Sequence, residues 1–228
     1  MSSAQLFRLS GLALLLGAVT FIVHLGARSL ITAGADQIAV AQDSLWVPIN
    51  ALGVVGAALV LLGLPGVGAR VAGPAGWPGL VGVVLIALAW MFFGGFLSLY
   101  SVLIAPWLAA EAPALVAPGA PLPAAFLVTF VAGLVAQLIG GALLALPFLR
   151  GDAHPRWVGF ALPAAALLAV AGNLIAPSGP ASNLALNLLS NSGPALLLVA
   201  LGALGARLRS EQSPTRQARS DDEDEQER

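Results

Sequence analysis

Three asparagines recur at every fourth residue in an otherwise apolar stretch near the carboxyl end of the chain: Asn183, Asn187 and Asn191. In an α-helix this spacing turns successive side chains by about 40° and raises them by about 6 Å, so the amides form one slanting polar stripe. Pro194 follows, and because proline has no N–H to donate to the carbonyl four residues back, it predicts a kink. Asn173, in the preceding apolar stretch, is expected in the same half of the membrane.

This polar region has two interpretations. In the first, the amides hydrogen-bond across helices and the proline serves packing. In the second, a broken helix exposes backbone carbonyls to a small cavity near the membrane midplane, where many transporters bind their substrate or ion. Under the second interpretation the candidate binding residues are Asn173, Asn183, Asn187, Asn191 and Pro194.

A second every-fourth-residue pattern consists of Thr129, Gly133, Gln137 and Gly141. Small residues on one helix face let another backbone approach closely, and a glutamine amide can hydrogen-bond across such a contact. The pattern therefore predicts a packing seam. It fits a contact inside the protein, with a second copy of the chain or with another membrane protein.

Trp90, Gly94 and Ser98 share one face of a third apolar stretch. A tryptophan in the middle of such a stretch is expected in the core. Because a buried indole N–H usually finds a partner, we expect that of Trp90 to be hydrogen-bonded to a neighbour.

The chain lacks the groups that most membrane chemistry uses. No Asp, Glu or Arg lies well inside an apolar stretch, and there is no cysteine. His24 and His154 are expected on opposite membrane faces, about 30 Å apart, and so cannot share a metal or a haem. Motifs for a zinc protease, a serine hydrolase, a P-loop or a dinucleotide site are also missing. We therefore expect no catalytic residues, no metal and no cofactor.

The elements that position these residues follow from composition. The 228 residues are 58% hydrophobic and only 9% charged, against about 25% charged in an average soluble domain. Because so little charge cannot cover a water-exposed surface, the chain must face lipid. Six apolar stretches are long enough to span it, at about 9–27, 45–66, 80–105, 124–149, 157–176 and 183–206. The predicted fold class is an all-α polytopic integral membrane protein, a bundle of six transmembrane helices over residues 1–206.

Arginine predicts the orientation of these spans. With six of them, nine of the ten arginines fall on the side of the two chain termini, and only Arg28 falls on the other. By the positive-inside rule both termini are then cytoplasmic. The absence of lysine and the abundance of Ala, Gly and Pro indicate a GC-rich bacterial genome. The predicted location is the bacterial cytoplasmic (inner) membrane.

The two ends of the chain differ. Residues 207–228 are basic and then acidic with almost no apolar side chains, which predicts a disordered cytoplasmic tail. The first apolar stretch has no small-x-small site cleanly after it, so we interpret it as a retained span rather than a cleaved signal peptide. In the loop 106–123 the proline density predicts an extended interfacial cover.

Three functional hypotheses follow. The leading one is a non-catalytic accessory, assembly or sensing component, because no buried charge or reactive group is evident. The alternative is a carrier for a small neutral or lipophilic solute that uses the broken sixth helix. The third, a lipid-modifying membrane enzyme, would need an acid, base or nucleophile in the membrane core. Membrane lipids are the expected partners, and the net charge of −1 suggests no nucleic acid.

Overall fold

A computed structural model describes residues 3–117, 120–150, 155–175 and 183–210, and within these ranges every element is helical. The helices are α1 Ser3–Thr32, α2 Gln37–Ala41, α3 Trp46–Trp90, α4 Leu97–Leu103, α5 Ala105–Glu111, α6 Ala124–Arg150, α7 Trp157–Ile175 and α8 Leu184–Ser210. A π-helical turn, Met91–Phe96, joins α3 to α4, and a 3₁₀ turn, Pro113–Leu115, follows α5. Helix α8 extends into the start of the predicted tail. The remainder of that tail, 211–228, and His154 lie outside the described residues.

Six helical segments within the described residues are long and apolar enough to span a membrane, and they confirm the predicted fold class. They are Ala4–Thr32, Trp46–Val71, Gly76–Glu111, Ala124–Arg150, Trp157–Leu174 and Leu184–Ser210, here called spans 1 to 6. Span 2 lies within α3, and span 3 begins in α3 and continues through the π-helical turn and α4 to the end of α5. Helix α3 turns at Gly76. That residue has φ 58° and ψ −151°, a conformation that glycine adopts at low cost.

Two segments expected in loops are helical instead. Helix α1 continues past the predicted end at residue 27, and the hydroxyls of Ser29 and Thr32 bond back to the carbonyls of Leu25 and Arg28. The expectation of an extended cover from residue 106 is also wrong at its start, because the chain stays helical to Glu111. Proline is accommodated in the first turn of α5, where its missing N–H has no intrahelical role.

The spans form a closed ring in sequence order, and span 6 packs back against span 1. Small residues allow the backbones to approach at each contact between different helices, as expected for helices that associate in lipid. These contacts pair Gly17 with Val60, Gly82 with Leu144, Gly141 with Leu162, Gly193 with Ala169, and Gly205 with Gly11.

The ring has two distinct ends. Near Gly11 and Gly205 the first part of α1 meets the last part of α8, and we call this the terminal end. The opposite end, where α1, α5 and α7 end and α3, α6 and α8 begin, is called the loop end. The largest fully buried apolar side chains of the bundle, including Leu14, Leu64, Phe148, Leu162 and Leu201, lie toward the terminal end.

Candidate functional site

A cavity of about 290 Å³ lies in the loop-end half of the bundle, and each of the six spans contributes to its lining. By liquid volume this is room for roughly ten water molecules. Ligand sites in bundles occur in such spaces between helices. The chain thus forms a partly open space of binding-site size where the sequence predicted its polar stripe.

Two amides of the predicted stripe and their neighbour on span 5 line this cavity. Asn187 donates through Nδ2 to Oγ1 of Thr32 at 3.1 Å, and Asn191 donates to Oγ of Ser29 at 3.0 Å. These bonds join span 6 to span 1, so the expected hydrogen bonding across helices is confirmed for both. Asn173 also lines the cavity, although its Nδ2 donates to the carbonyl of Ala169 on its own helix, at 2.7 Å.

The other two members of the candidate set behave differently. Asn183 is exposed, is not among the described cavity-lining residues, and accepts the N–H of Leu186 at 3.0 Å at the start of α8. Pro194 lines the cavity, but α8 is a continuous helix from Leu184 to Ser210. The broken sixth helix of the carrier hypothesis is therefore wrong.

Of the four residues in the predicted packing seam on α6, three make contacts or bonds within the chain, and the fourth, Gln137, lines the cavity. Gly133 lies against the ring of Phe93, and Gly141 lies against the carbonyl of Leu162. Thr129 is exposed and donates to the carbonyl of Ala125 at 2.8 Å. Gly133 and Gly141 therefore form helix contacts within the protein, and Thr129 bonds to its own helix.

Gln137 does not make the expected hydrogen bond across a helix contact. Its side chain is only 6% exposed, it lines the cavity, and it has no hydrogen-bond partner among the described residues. Because Gln137 lines the cavity, its amide is open to that space and can donate to, or accept from, a molecule bound there. Gln137 is therefore better explained by a cavity occupant than by packing.

Sequence reasoning missed Arg28 as a lining residue, because it placed this arginine at the end of span 1. Helix α1 instead continues for one further turn, and Arg28 lines the cavity. Its Cζ lies 5.4 Å from the ring centroid of Trp46. Trp46 is itself fixed, since Nε1–H donates to the carbonyl of Ser101 at 2.7 Å. No Asp or Glu belongs to the described lining, so the cavity has a cationic end.

His24 and Ser98 meet in the same cavity, which neither the histidine nor the serine pattern predicted. The Nδ1–H of His24 donates to the carbonyl of Ile49 at 2.8 Å. The other ring nitrogen, Nε2, takes no part in this bond. A Cβ on Gly53 would lie 2.9 Å from this Nε2 and 2.6 Å from Oγ of Ser98. Glycine at this position is thus what lets both polar groups approach span 2.

The deeper wall of the cavity is aromatic and includes Phe21, Trp90, Phe93 and Phe130. Phe21 and Trp90 lie with ring centroids 4.8 Å apart, and Phe93 meets Phe130 edge to face at 5.3 Å. The π-helical turn Met91–Phe96 brings Phe93 to this wall, and such turns are frequent at functional sites.

Trp90 is buried as expected, but the prediction of a bonded indole is wrong. Its Nε1–H has no hydrogen-bond partner among the described residues. Within the described residues, the other buried side-chain polar atom without a partner is Oδ1 of Asn50. The π-helical turn adds one residue and so shifts the register of span 3 beyond Trp90. A helical period of 3.6 residues, applied to the sequence, does not predict this shift.

The lining of the cavity is suited to binding an amphipathic molecule. No group of three or more His, Cys, Asp or Glu that could hold a metal ion occurs within the described ranges. One side of the cavity offers amides, hydroxyls and a guanidinium, and the other offers aromatic rings. A molecule with a polar head and an apolar body would satisfy both sides at once.

Comparisons with protein families, with curated proteins and with solved structures found no match for the chain.

Proposed function

We propose that this multi-pass membrane protein is a carrier for a small amphipathic solute, a lipid or another lipophilic compound, which binds in the loop-end cavity. The observation that carries the proposal is Gln137, a side chain only 6% exposed that lines the cavity and has no hydrogen-bond partner among the described residues. An amide that faces a cavity without a protein partner can bond to a polar partner there. A bound head group would be that partner.

The position of the cavity supports a carrier. All six spans line it near the loop end, whereas apolar side chains fill the terminal end. One accessible half and one packed half is the arrangement expected for a single state of an alternating-access carrier. The accessory or sensing hypothesis stays a prediction, since a sensor would use the same cavity without moving its solute across the membrane.

The arginine distribution supports an orientation as well. It favours cytoplasmic termini in a bacterial inner membrane, and the cavity then belongs to the extracytoplasmic half. Because the chain has no cysteine, a single cysteine at Ala39, an exposed residue of α2 at the loop end, gives a specific label. An impermeant maleimide should react with it in intact cells, and reaction only after lysis would refute the orientation.

The variant Gln137→Leu tests solute binding. Leucine removes the amide while keeping much of the side-chain volume, so the unliganded protein should unfold at the same temperature as the wild type or higher. A bacterial polar lipid extract in mixed micelles should raise the unfolding temperature of the wild type and raise that of Gln137→Leu much less.

Thr129→Val is the matched control, because Thr129 is on the same helix but exposed and outside the described lining. It should respond to the extract as the wild type does. The proposal fails if the extract stabilises wild type, Gln137→Leu and Thr129→Val equally, or stabilises none of them.

A further inference from the structure

We infer that the head group bound in this cavity is anionic, a phosphate or carboxylate held by Arg28. The inference rests on the proposed function, because it names the class of solute that the same cavity binds. It differs from the neutral solute of the sequence hypothesis.

The charge of the cavity is unbalanced. Arg28 is the charged residue of the described lining, and its guanidinium has no ion pair or hydrogen bond among the described residues. A cation held inside a membrane protein without a partner is costly, so such groups pair with one another, with carbonyls or with a ligand. An anion in the cavity would complete the pair.

The acids nearest to Arg28 along the chain are otherwise engaged. Asp36 accepts the N–H groups of Ile38 and Ala39 at 2.9 Å each and so caps α2. Asp43 accepts the N–H of Leu45 at 2.7 Å. Neither forms an ion pair with Arg28 in the described structure, which leaves the guanidinium to an external anion.

The guanidinium is also positioned in advance. It lies over the face of Trp46, which is 7% exposed and anchored by its bond to Ser101. A cation stacked on an indole in this way loses little freedom when it binds a ligand. Its planar set of N–H donors matches the oxygens of a phosphate or carboxylate and can bond two of them together.

The aromatic wall argues for an amphiphile over a free ion. Phe21, Phe93 and Phe130 line the cavity together with Leu134, and an inorganic anion would leave these apolar surfaces without contacts. An anion joined to an alkyl chain would pack the chain there while its head pairs with Arg28. Carboxylate and phosphate amphiphiles share this chemistry.

Three soluble probes separate the contribution of the anionic head group from that of the alkyl chain. Octyl phosphate, octanol and inorganic phosphate are added in turn to the purified protein in a neutral detergent, and the unfolding temperature is measured. Octyl phosphate should raise it well above the effect of octanol, and inorganic phosphate should have little effect. In Arg28→Gln the Kd for octyl phosphate should rise by about tenfold or more, as expected for loss of a charge-assisted pair, while the Kd for octanol should stay the same.

Two further variants keep the result interpretable. Arg28→Lys retains the charge without the planar donors and should fall between wild type and Arg28→Gln. Arg156→Gln, at an exposed position outside the described lining, should behave as wild type. If Arg28→Gln does not fold, the wild-type comparison of octyl phosphate with octanol decides the matter alone.

The outcomes distinguish this inference from the proposed function. Equal stabilisation of wild type by octanol and octyl phosphate overturns the anionic head group but leaves solute binding in place. Full stabilisation by inorganic phosphate alone overturns the amphiphile in favour of a free anion. No stabilisation by any of the three probes overturns both the inference and the carrier proposal.

Discussion

The two halves of the bundle are built from the same six spans, but they differ in how their interior is filled. Toward the terminal end, side chains such as Leu14, Leu162 and Leu201 are fully buried, and helices contact one another through glycine and aliphatic groups. Toward the loop end the same helices carry amides, hydroxyls, a histidine and an arginine around a cavity. One half is filled by the chain itself, and the other is not.

This difference assigns stability mainly to the filled half and solute binding to the half with the cavity. In lipid, helices associate through close packing and a few hydrogen bonds, so the filled half can supply most of the association energy. In the loop-end half, Nε1–H of Trp90 is buried without an acceptor among the described residues, and the amide of Gln137 faces the cavity without a partner among them. A half that lowers stability in this way is expected where a protein binds something.

The largest expected effect lies in the filled half. Leu201 is 0% exposed, so Leu201→Ala opens a void that the neighbouring helices can close only in part. The transfer contribution is smaller in lipid than in water, and we expect a loss of about 2–4 kcal/mol in the free energy of unfolding. Reversible unfolding in detergent measures it, with Leu62→Ala, at a residue 68% exposed, as the control. Equal losses in both variants would contradict the assigned core.

A smaller effect is expected at the edge of the cavity. Gly53→Ala places a methyl group at 2.6 Å from Oγ of Ser98 and 2.9 Å from Nε2 of His24, so one of these must move. Overpacking of this kind costs about 1–3 kcal/mol, and it should weaken solute binding as well. Gly26→Ala is the control, because a Cβ there meets nothing within 4 Å. If Gly53→Ala is as stable as Gly26→Ala, the close approach of His24 and Ser98 to span 2 is wrong.

Sequence reasoning predicted the six spans and part of the site for clear physical reasons. The thickness of a membrane fixes the length of an apolar helix, and helical periodicity places Asn187 and Asn191 on neighbouring positions of one face. Arg28 was missed because its role depends on one extra turn of α1 and on the direction of its side chain toward Trp46. Both are set by contacts between distant parts of the chain.

The helix interruptions were harder still to predict. Proline suggested a break at Pro194, yet α8 is continuous there and the irregularity lies at the π-helical turn Met91–Phe96. Neighbouring helices and serine hydroxyls can accommodate a proline in a membrane span. A π-helical turn depends on packing that local sequence does not specify, and so Phe93 was not a candidate.

Protection of a single cysteine in the cavity tests the central claim most directly. Ser98→Cys changes one atom type and provides a thiol in a chain that otherwise has none. Octyl phosphate should slow the reaction of this thiol with a small methanethiosulfonate reagent as it occupies the cavity, and should leave the exposed control variant Thr129→Cys unaffected. An unchanged reaction rate of the Ser98→Cys variant under saturating octyl phosphate, or equal slowing in both variants, would contradict the account.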